Sequence, residues 1–411
     1  MFPPAAICEA DPVPALTEAP LLDILDPAVQ ADPEPYYADL RGRTAVARTP
    51  LGATIVRRAE VREVLADPRF VTSIPFLVEM QGGGDGWVSE MISSSVISTE
   101  GADHTRLRRL VSRSFTPAAA GRHRPTMRAL ANELVDAFAP TGHCEFVSAF
   151  ADHYPVQVIC EVLGTPREDH DRFARWGNAL TYVLSLELGA HLVEIEAAAS
   201  ALGAYIEEMV VDRRDHPRDD LVTSLVQASE DGDRLSSAEL FSMVAGIVFA
   251  GYDTTRNQLG QALFTFAQHP EQWALLGEQP ELAPQAVDEV MRLVGAVSGV
   301  PRIALEDVEV DGWLIPAGTV VFASVASANR DESTFVDPLV FDITAVREGH
   351  LTFGGGPHYC LGVHLARAEM EEALRILAAR LPDLRLEGEP RWRTGTGIAG
   401  PDELRLQFRP S

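Results

Sequence analysis

Lysine does not occur in this chain of 411 residues: all 34 basic residues are arginine, against 60 acidic ones, for a net charge of −26. The missing lysine matches a coding bias and carries no functional meaning. The acidic excess argues against nucleic acid or an anionic membrane as the main partner. Cysteine is scarce. Cys8, Cys144, Cys160 and Cys360 are too few and too scattered for a disulfide framework, and a reducing compartment is expected. Long apolar runs are missing too. The first residues have no basic start and no stretch long enough for a signal peptide or a membrane anchor, so the expected location is cytoplasmic. There is no Ser/Gly-rich linker and no repeat period. With 46% hydrophobic and 23% charged residues, the composition is that of ordinary globular material, and a single domain over 1–411 is expected, its residues 1–35 wrapping the surface.

Against these absences stands one dense stretch, Phe-Gly-Gly-Gly-Pro-His-Tyr-Cys-Leu-Gly-Val-His-Leu-Ala-Arg, from Phe353 to Arg367. Three glycines and a proline cannot form a helix interior. The apolar period of Leu361 to Leu377 then predicts a helix, with Cys360 at the junction. A cysteine there meets unpaired N–H groups and the positive end of the helix dipole, which favour thiolate. Three readings of Cys360 follow: a buried free thiol, a zinc site with His358 and His364, or a thiolate ligand to haem iron. The zinc spacing is poor, with no Cys-x-x-Cys pair and no second cluster.

The full pattern Phe-x-x-Gly-x-His-x-Cys-x-Gly resembles the cysteine-ligand loop of the cytochrome P450 family, soluble bacterial type. The resemblance implies that Cys360 is the proximal ligand of haem b, that Phe353 packs beside the sulfur, that His358 reaches a haem propionate and that Gly362 leaves room for the macrocycle. It also assigns His104, Arg108 and Arg302 to the propionates. His104 and Arg108 share one stripe of a helix expected over His104–Phe115. Arg106, Arg109 and Arg113 form another, either a solvated basic face or a dock for an acidic electron carrier.

Ser236 and Glu239 spell a capping box before a helix of about thirty residues, ~45 Å long, ending at His269-Pro270. Its middle reads Ala250-Gly251-Tyr252-Asp253-Thr254-Thr255, poor helix material. Splitting dioxygen needs protons delivered in order to a dry site, and a hydroxyl beside a carboxylate can supply them. The segment resembles the family's Ala/Gly-Gly-x-Asp/Glu-Thr-Thr/Ser signature, which makes Asp253 the acid and Thr254 the alcohol. Local opening of the helix at Gly251 is expected to make room. Helical spacing puts Gly246, Ile247, Ala250 and Gly251 on the Thr254 face, small residues that suit a bulky substrate. The resemblance adds Val297, Ser298 and Val300 to the pocket wall, and Ile398 is a candidate for its far side. It makes Phe70–Ile97, with its glycine cluster, a substrate cover, and the loop 186–191 part of a lid.

Glu289 and Arg292 are spaced Glu-x-x-Arg, and the resemblance makes them a buried structural pair. The family's third member fails to match here, leaving Arg330 or Arg347 to compensate. A mainly α fold with a smaller β-rich region is thus expected, built around one haem. The expected function is mono-oxygenation of a bulky apolar secondary metabolite, terpenoid or steroid by a monomer. Electrons would come from NAD(P)H through a ferredoxin reductase and ferredoxin. Two alternatives are a peroxide-driven haem-thiolate peroxygenase and a non-enzymatic haem-binding partner or sensor.

Overall fold

A computed structural model describes residues 13–24, 26–83, 86–185, 187–230, 235–393 and 398–411. Cys8, Gly84, Asp85, Leu186 and the turn at Gly395–Gly397 lie outside them. The helices that position the site are α1 (Arg58–Ala66), α2 (Trp87–Ser93), α3 (Gly101–Ser112), α4 (Pro117–Asp136), α5 (Tyr154–Leu163), α6 (His170–Leu180), α7 (Leu188–Asp215), α8 (Ser237–Gln268), α9 (Ala283–Val294) and α10 (Val363–Arg380). Beside this helical body lies a five-stranded sheet, built from β1 (Val46–Thr49), β2 (Gly52–Ile55), β3 (Phe70–Thr72), β4 (Val300–Ala304) and β5 (Val320–Ala323). Its spatial order is β1-β2-β5-β4-β3, with only the β2–β5 pair parallel.

The axis of the molecule is α8, 32 residues or ~48 Å long. Its start is fixed by the expected reciprocal cap: the Glu239 N–H donates to Ser236 Oγ (3.1 Å), and the Ser236 N–H to Glu239 Oε2 (2.8 Å). The same Glu239 carboxylate pairs with Arg106, so that member of the second arginine stripe is turned into the protein. Along its length α8 packs on α2, α5, α6, α7, α9 and α10. One large apolar cluster surrounds it, and a smaller one lies under the sheet and α1.

The hairpin around Leu51-Gly52 forms as its sequence implies, pairing Val46 with Ile55 and Thr49 with Gly52. Pro125 lies inside α4, which begins eight residues earlier, where the Thr116 side chain accepts from the Ala119 N–H. The stretch 70–97 holds β3, a helix at Ile74–Met80 and α2. Among the described residues no helix is long and apolar enough to cross a membrane.

Candidate active site

The Cys360 loop is held by backbone geometry. Gly354 and Gly356 adopt left-handed φ of +73° and +62°, and a side chain at Gly356 would put Cβ 2.2 Å from the Leu65 carbonyl oxygen at the end of α1. The Cys360 N–H donates to the Phe353 carbonyl (2.9 Å), closing the loop. Helix α10 starts at Val363 behind Gly362, two residues later than its apolar period implies, so Cys360 stands just outside the first turn. The dipole argument weakens accordingly, and two local groups replace it. Burial pushes the Cys360 thiol up, while the Gly362 N–H and the Arg108 guanidinium favour the thiolate. Cys144 and Cys160 have no such N–H or guanidinium, and burial pushes both up to about 12, against only the Thr165 hydroxyl at Cys160. Among the described residues no three His, Cys, Asp or Glu side chains converge as a metal cluster, so the zinc reading has no geometry behind it.

Near this loop the structure gathers the four residues expected at the propionates. The His104 ring, 3% exposed, lies 4.3 Å from the His358 ring, and its Nε2 has no partner among the described residues. Arg302 on β4 is 4% exposed; its guanidinium donates to the Pro301 carbonyl (3.1 Å), and burial pulls its pKa down. Arg108 donates to the Tyr359 carbonyl (2.6 Å). The nearby acid is Glu100, which accepts from the Thr72 N–H (2.8 Å) and meets His358 Nε2 at 3.0 Å. A buried guanidinium and a buried imidazole edge so poorly compensated are costly. They fit a ligand that brings its own carboxylates. Gly362 adds space, since a Cβ there would meet nothing within 4 Å.

On α8, Gly246 likewise opens onto space, Ala250 is exposed in the middle of a mostly buried helix, and Ile247 is barely buried. These three, with half-buried Thr254, share one open face. Gly251 does not join them. A Cβ there would lie 2.4 Å from Ile159 Cδ1, so its missing side chain serves the approach of α5. Nor does the helix open at this point: hydrogen bonding continues through it, and Thr254 Oγ1 donates to the Ala250 carbonyl (2.6 Å). Close packing on α5 holds the weak turn in register.

Asp253 points the other way and is 1% exposed. Its Oδ1 accepts from Thr181 Oγ1 (3.1 Å), Asn257 Nδ2 (3.0 Å) and the Arg393 guanidinium (3.1 Å), and its Oδ2 has no partner among the described residues. Burial raises this carboxyl's pKa, against the pull of Arg393 and Arg256. Arg393 also donates to Asp402 (2.9 Å), which is partly exposed, linking the buried acid toward the surface. The chain that carries Arg393 returns along α8 as a strap: Gln261 donates to the Ala399 carbonyl, Gly400 presses on Asn257, and Arg256 donates to the Pro401 carbonyl. Ile398 in this strap bridges to Val297, bringing those two expected wall residues together. Ser298 and half-buried Val300 follow on the same stretch, the Ser298 carbonyl accepting from the Ala326 N–H.

Residues 85–380 match the family model described as cytochrome P450. The chain belongs to the cytochrome P450 family. It is 40% identical to luteothin monooxygenase of Streptomyces thioluteus over 96% of this chain and 97% of that one. It is also 40% identical to mycinamicin IV hydroxylase/epoxidase of Micromonospora griseorubida, over 90% of this chain and 94% of the other. The structure of CalO2 superposes with a TM-score of 0.89 at 30% identity, covering 95% of this chain and 99% of that one. This P450 is therefore a haem monooxygenase, and the non-enzymatic reading gives way.

The P450 keeps its Glu-x-x-Arg pair in the interior. Arg292 grips Glu289 through two hydrogen bonds of 2.8 Å, and spends its other donors on the carbonyls of Asn329, Pro338 and Val340. The missing third member is Arg347, whose Nε lies 3.1 Å from Glu289 Oε2 in an ion pair not aligned as a hydrogen bond. Arg330 turns instead to the Leu293 carbonyl and Glu34. Glu289→Ala takes the carboxylate from buried Arg292 and half-buried Arg347 and is expected to cost about 3 kcal/mol, read as a lower urea midpoint of the haem-loaded protein. A midpoint equal to the parent's would show that the pair is dispensable.

Proposed function

We propose that this P450 inserts one atom of dioxygen into a bulky apolar secondary metabolite, with Cys360 as the thiolate ligand of haem b. The observation that carries the haem assignment is the set of buried, poorly compensated His104 and Arg302 beside the Cys360 loop. His104, Arg108, Arg302 and His358 would hold the propionates, with Gly362 leaving room for the ring edge. When bound, the haem supplies the oxygen-splitting and atom-transfer chemistry, which a thiolate ligand favours.

The protein's own part is proton and water control. Asp253 holds a carboxyl whose Oδ2 is bare and whose pKa is raised, so it can carry a proton into a site that solvent does not reach. Thr254 Oγ1, now donating to Ala250, needs only a rotation about χ1 to offer that proton to the open face. Gly246, Ile247 and Ala250 leave that face wide and apolar; Val297, Ser298, Val300 and Ile398 would line the side across from it. The substrates in the relatives' names, luteothin and mycinamicin, support an actinobacterial secondary metabolite ahead of a terpenoid or steroid.

The chain would act as a cytoplasmic monomer of one domain, fed from NAD(P)H through ferredoxin reductase and ferredoxin. Exposed Arg113 at the end of α3 suits an acidic carrier. Arg113→Glu is expected to slow electron transfer several-fold at low salt and little at high salt; equal rates at both would remove this arginine from the docking face.

The deciding experiment is an optical titration of the haem-loaded protein with a panel of such metabolites, followed through the Soret band. A shift to high spin identifies the substrate class. A thiolate spectrum that no compound shifts points to a substrate tethered to a carrier. Absence of a thiolate spectrum overturns the assignment.

A further inference from the structure

The stretch that leads into the expected pocket wall is tied to the central helix by one side chain. Gln258 on α8 is 2% exposed. Its Nε2 donates to the Val294 carbonyl (3.1 Å), and its Oε1 accepts from the Ala296 N–H (2.8 Å). Both ends of the amide are thus spent on backbone groups two residues apart. Val294 is the last residue of α9, where carbonyls have no N–H of their own helix to receive. From the other side the strap holds the same stretch. The Ala296 carbonyl accepts from the Ala399 N–H (2.7 Å), and Val297 bridges to Ile398. Gln261, three residues beyond Gln258, donates in turn to the Ala399 carbonyl (3.4 Å). Gln258 stands four residues after Thr254, on the same side of the helix and ~6 Å along it.

We infer that Gln258 is a positioning residue: its amide holds the wall at Val297 and Ile398 in register with Thr254, and so sets how closely a bulky ligand fits the pocket. This rests on the reading of Val297 and Ile398 as wall residues. Without the amide, the Val294 carbonyl and the Ala296 N–H would be left inside the protein with their bonds to α8 broken. The stretch would shift to find other partners, and Val297 and Ile398 would move together because they are bridged. Thr254 would stay, since the hydrogen bonds of α8 hold it. The separation between the wall and the Thr254 hydroxyl is therefore what the amide governs, and a displacement of about 1 Å there is enough to spoil the placement of a reacting atom.

The test uses the full-length, haem-loaded protein and two azoles, read through the Soret band. Imidazole is small enough to reach the iron with little contact to the wall; clotrimazole is bulky enough to press on it. Gln258→Met keeps the length of the side chain and removes both hydrogen bonds. It is expected to weaken clotrimazole about tenfold, within what two buried groups left without partners can cost, with imidazole affinity and the thiolate band unchanged. Gln261→Met, at a half-buried position, should weaken clotrimazole about two- to threefold, as for the loss of one hydrogen bond; it decides the matter if Gln258→Met takes up no haem. A loss shared equally by imidazole would place the damage at the haem and overturn the inference. So would parental clotrimazole affinity in both glutamine variants while Val297→Ala and Ile398→Ala weaken it. Parental affinity in all four variants would remove the wall assignment itself, a distinct outcome.

Discussion

Cys360→Ser is expected to abolish the thiolate signature of the reduced carbon monoxide complex and to lower oxygen insertion by more than ~10³-fold, a loss of ~4 kcal/mol in barrier lowering. Haem uptake should weaken without vanishing, because the donor cluster of His104, Arg108, Arg302 and His358 is untouched. The control lies in the same chain. Cys144 and Cys160 are buried thiols held up at about 12, with no guanidinium or helix-entry N–H to favour the thiolate. Cys144→Ser and Cys160→Ser should leave the spectrum unchanged, whatever they cost in stability. A thiolate spectrum that survives Cys360→Ser would move the ligand elsewhere and take the proposed site with it.

The second large effect is expected from Asp253→Asn. The amide preserves an acceptor for Thr181, Asn257 and Arg393, so the local packing should persist. It removes the group that can carry a proton. Turnover should fall about 10²-fold, with a larger solvent isotope effect, more NAD(P)H spent on peroxide release and unchanged substrate affinity. The raised pKa of Asp253 gives the direction of the pH dependence. Below it the carboxyl is loaded and can donate; above it the carboxylate is held by Arg393, and delivery slows as pH rises. If Asp253→Asn kept the parent's rate and isotope effect, the acid would have to be sought on another element.

What the sequence made legible was local. The capping box at Ser236 and the Glu289–Arg292 spacing each lie within a few residues, and each forms as expected. The Cys360 loop was legible because its pattern spans ten positions of one turn. What escaped was long-range. Arg393 reaches Asp253 from 140 residues away and Thr181 from 72. Glu100 meets His358 across 258 residues. No spacing rule predicts such pairs. Of Asp253's partners, only Asn257, four residues on along the same helix, had a readable signal. The misses have the same origin. Gly251 looked like a gap in the pocket and an opening of the helix, until Ile159 of another helix filled it. Arg106 looked like part of an outward stripe, until Glu239 turned it inward.

The strap that carries Arg393 also has a consequence in time. At ~5–20 residues per second, a ribosome needs roughly 7–28 seconds to travel from Asp253 to Arg393. During that interval the acid of the central helix has Thr181, Asn257 and the charge of Arg256, but not its ion pair with Arg393. Beyond the strap, Arg405–Gln407 must still pair with His143–Glu145. The proton-handling half of the site is therefore completed late. It closes only when a late-synthesised segment folds back over one made much earlier, so the nascent helix must tolerate either a hydrated carboxylate or a neutral acid until then.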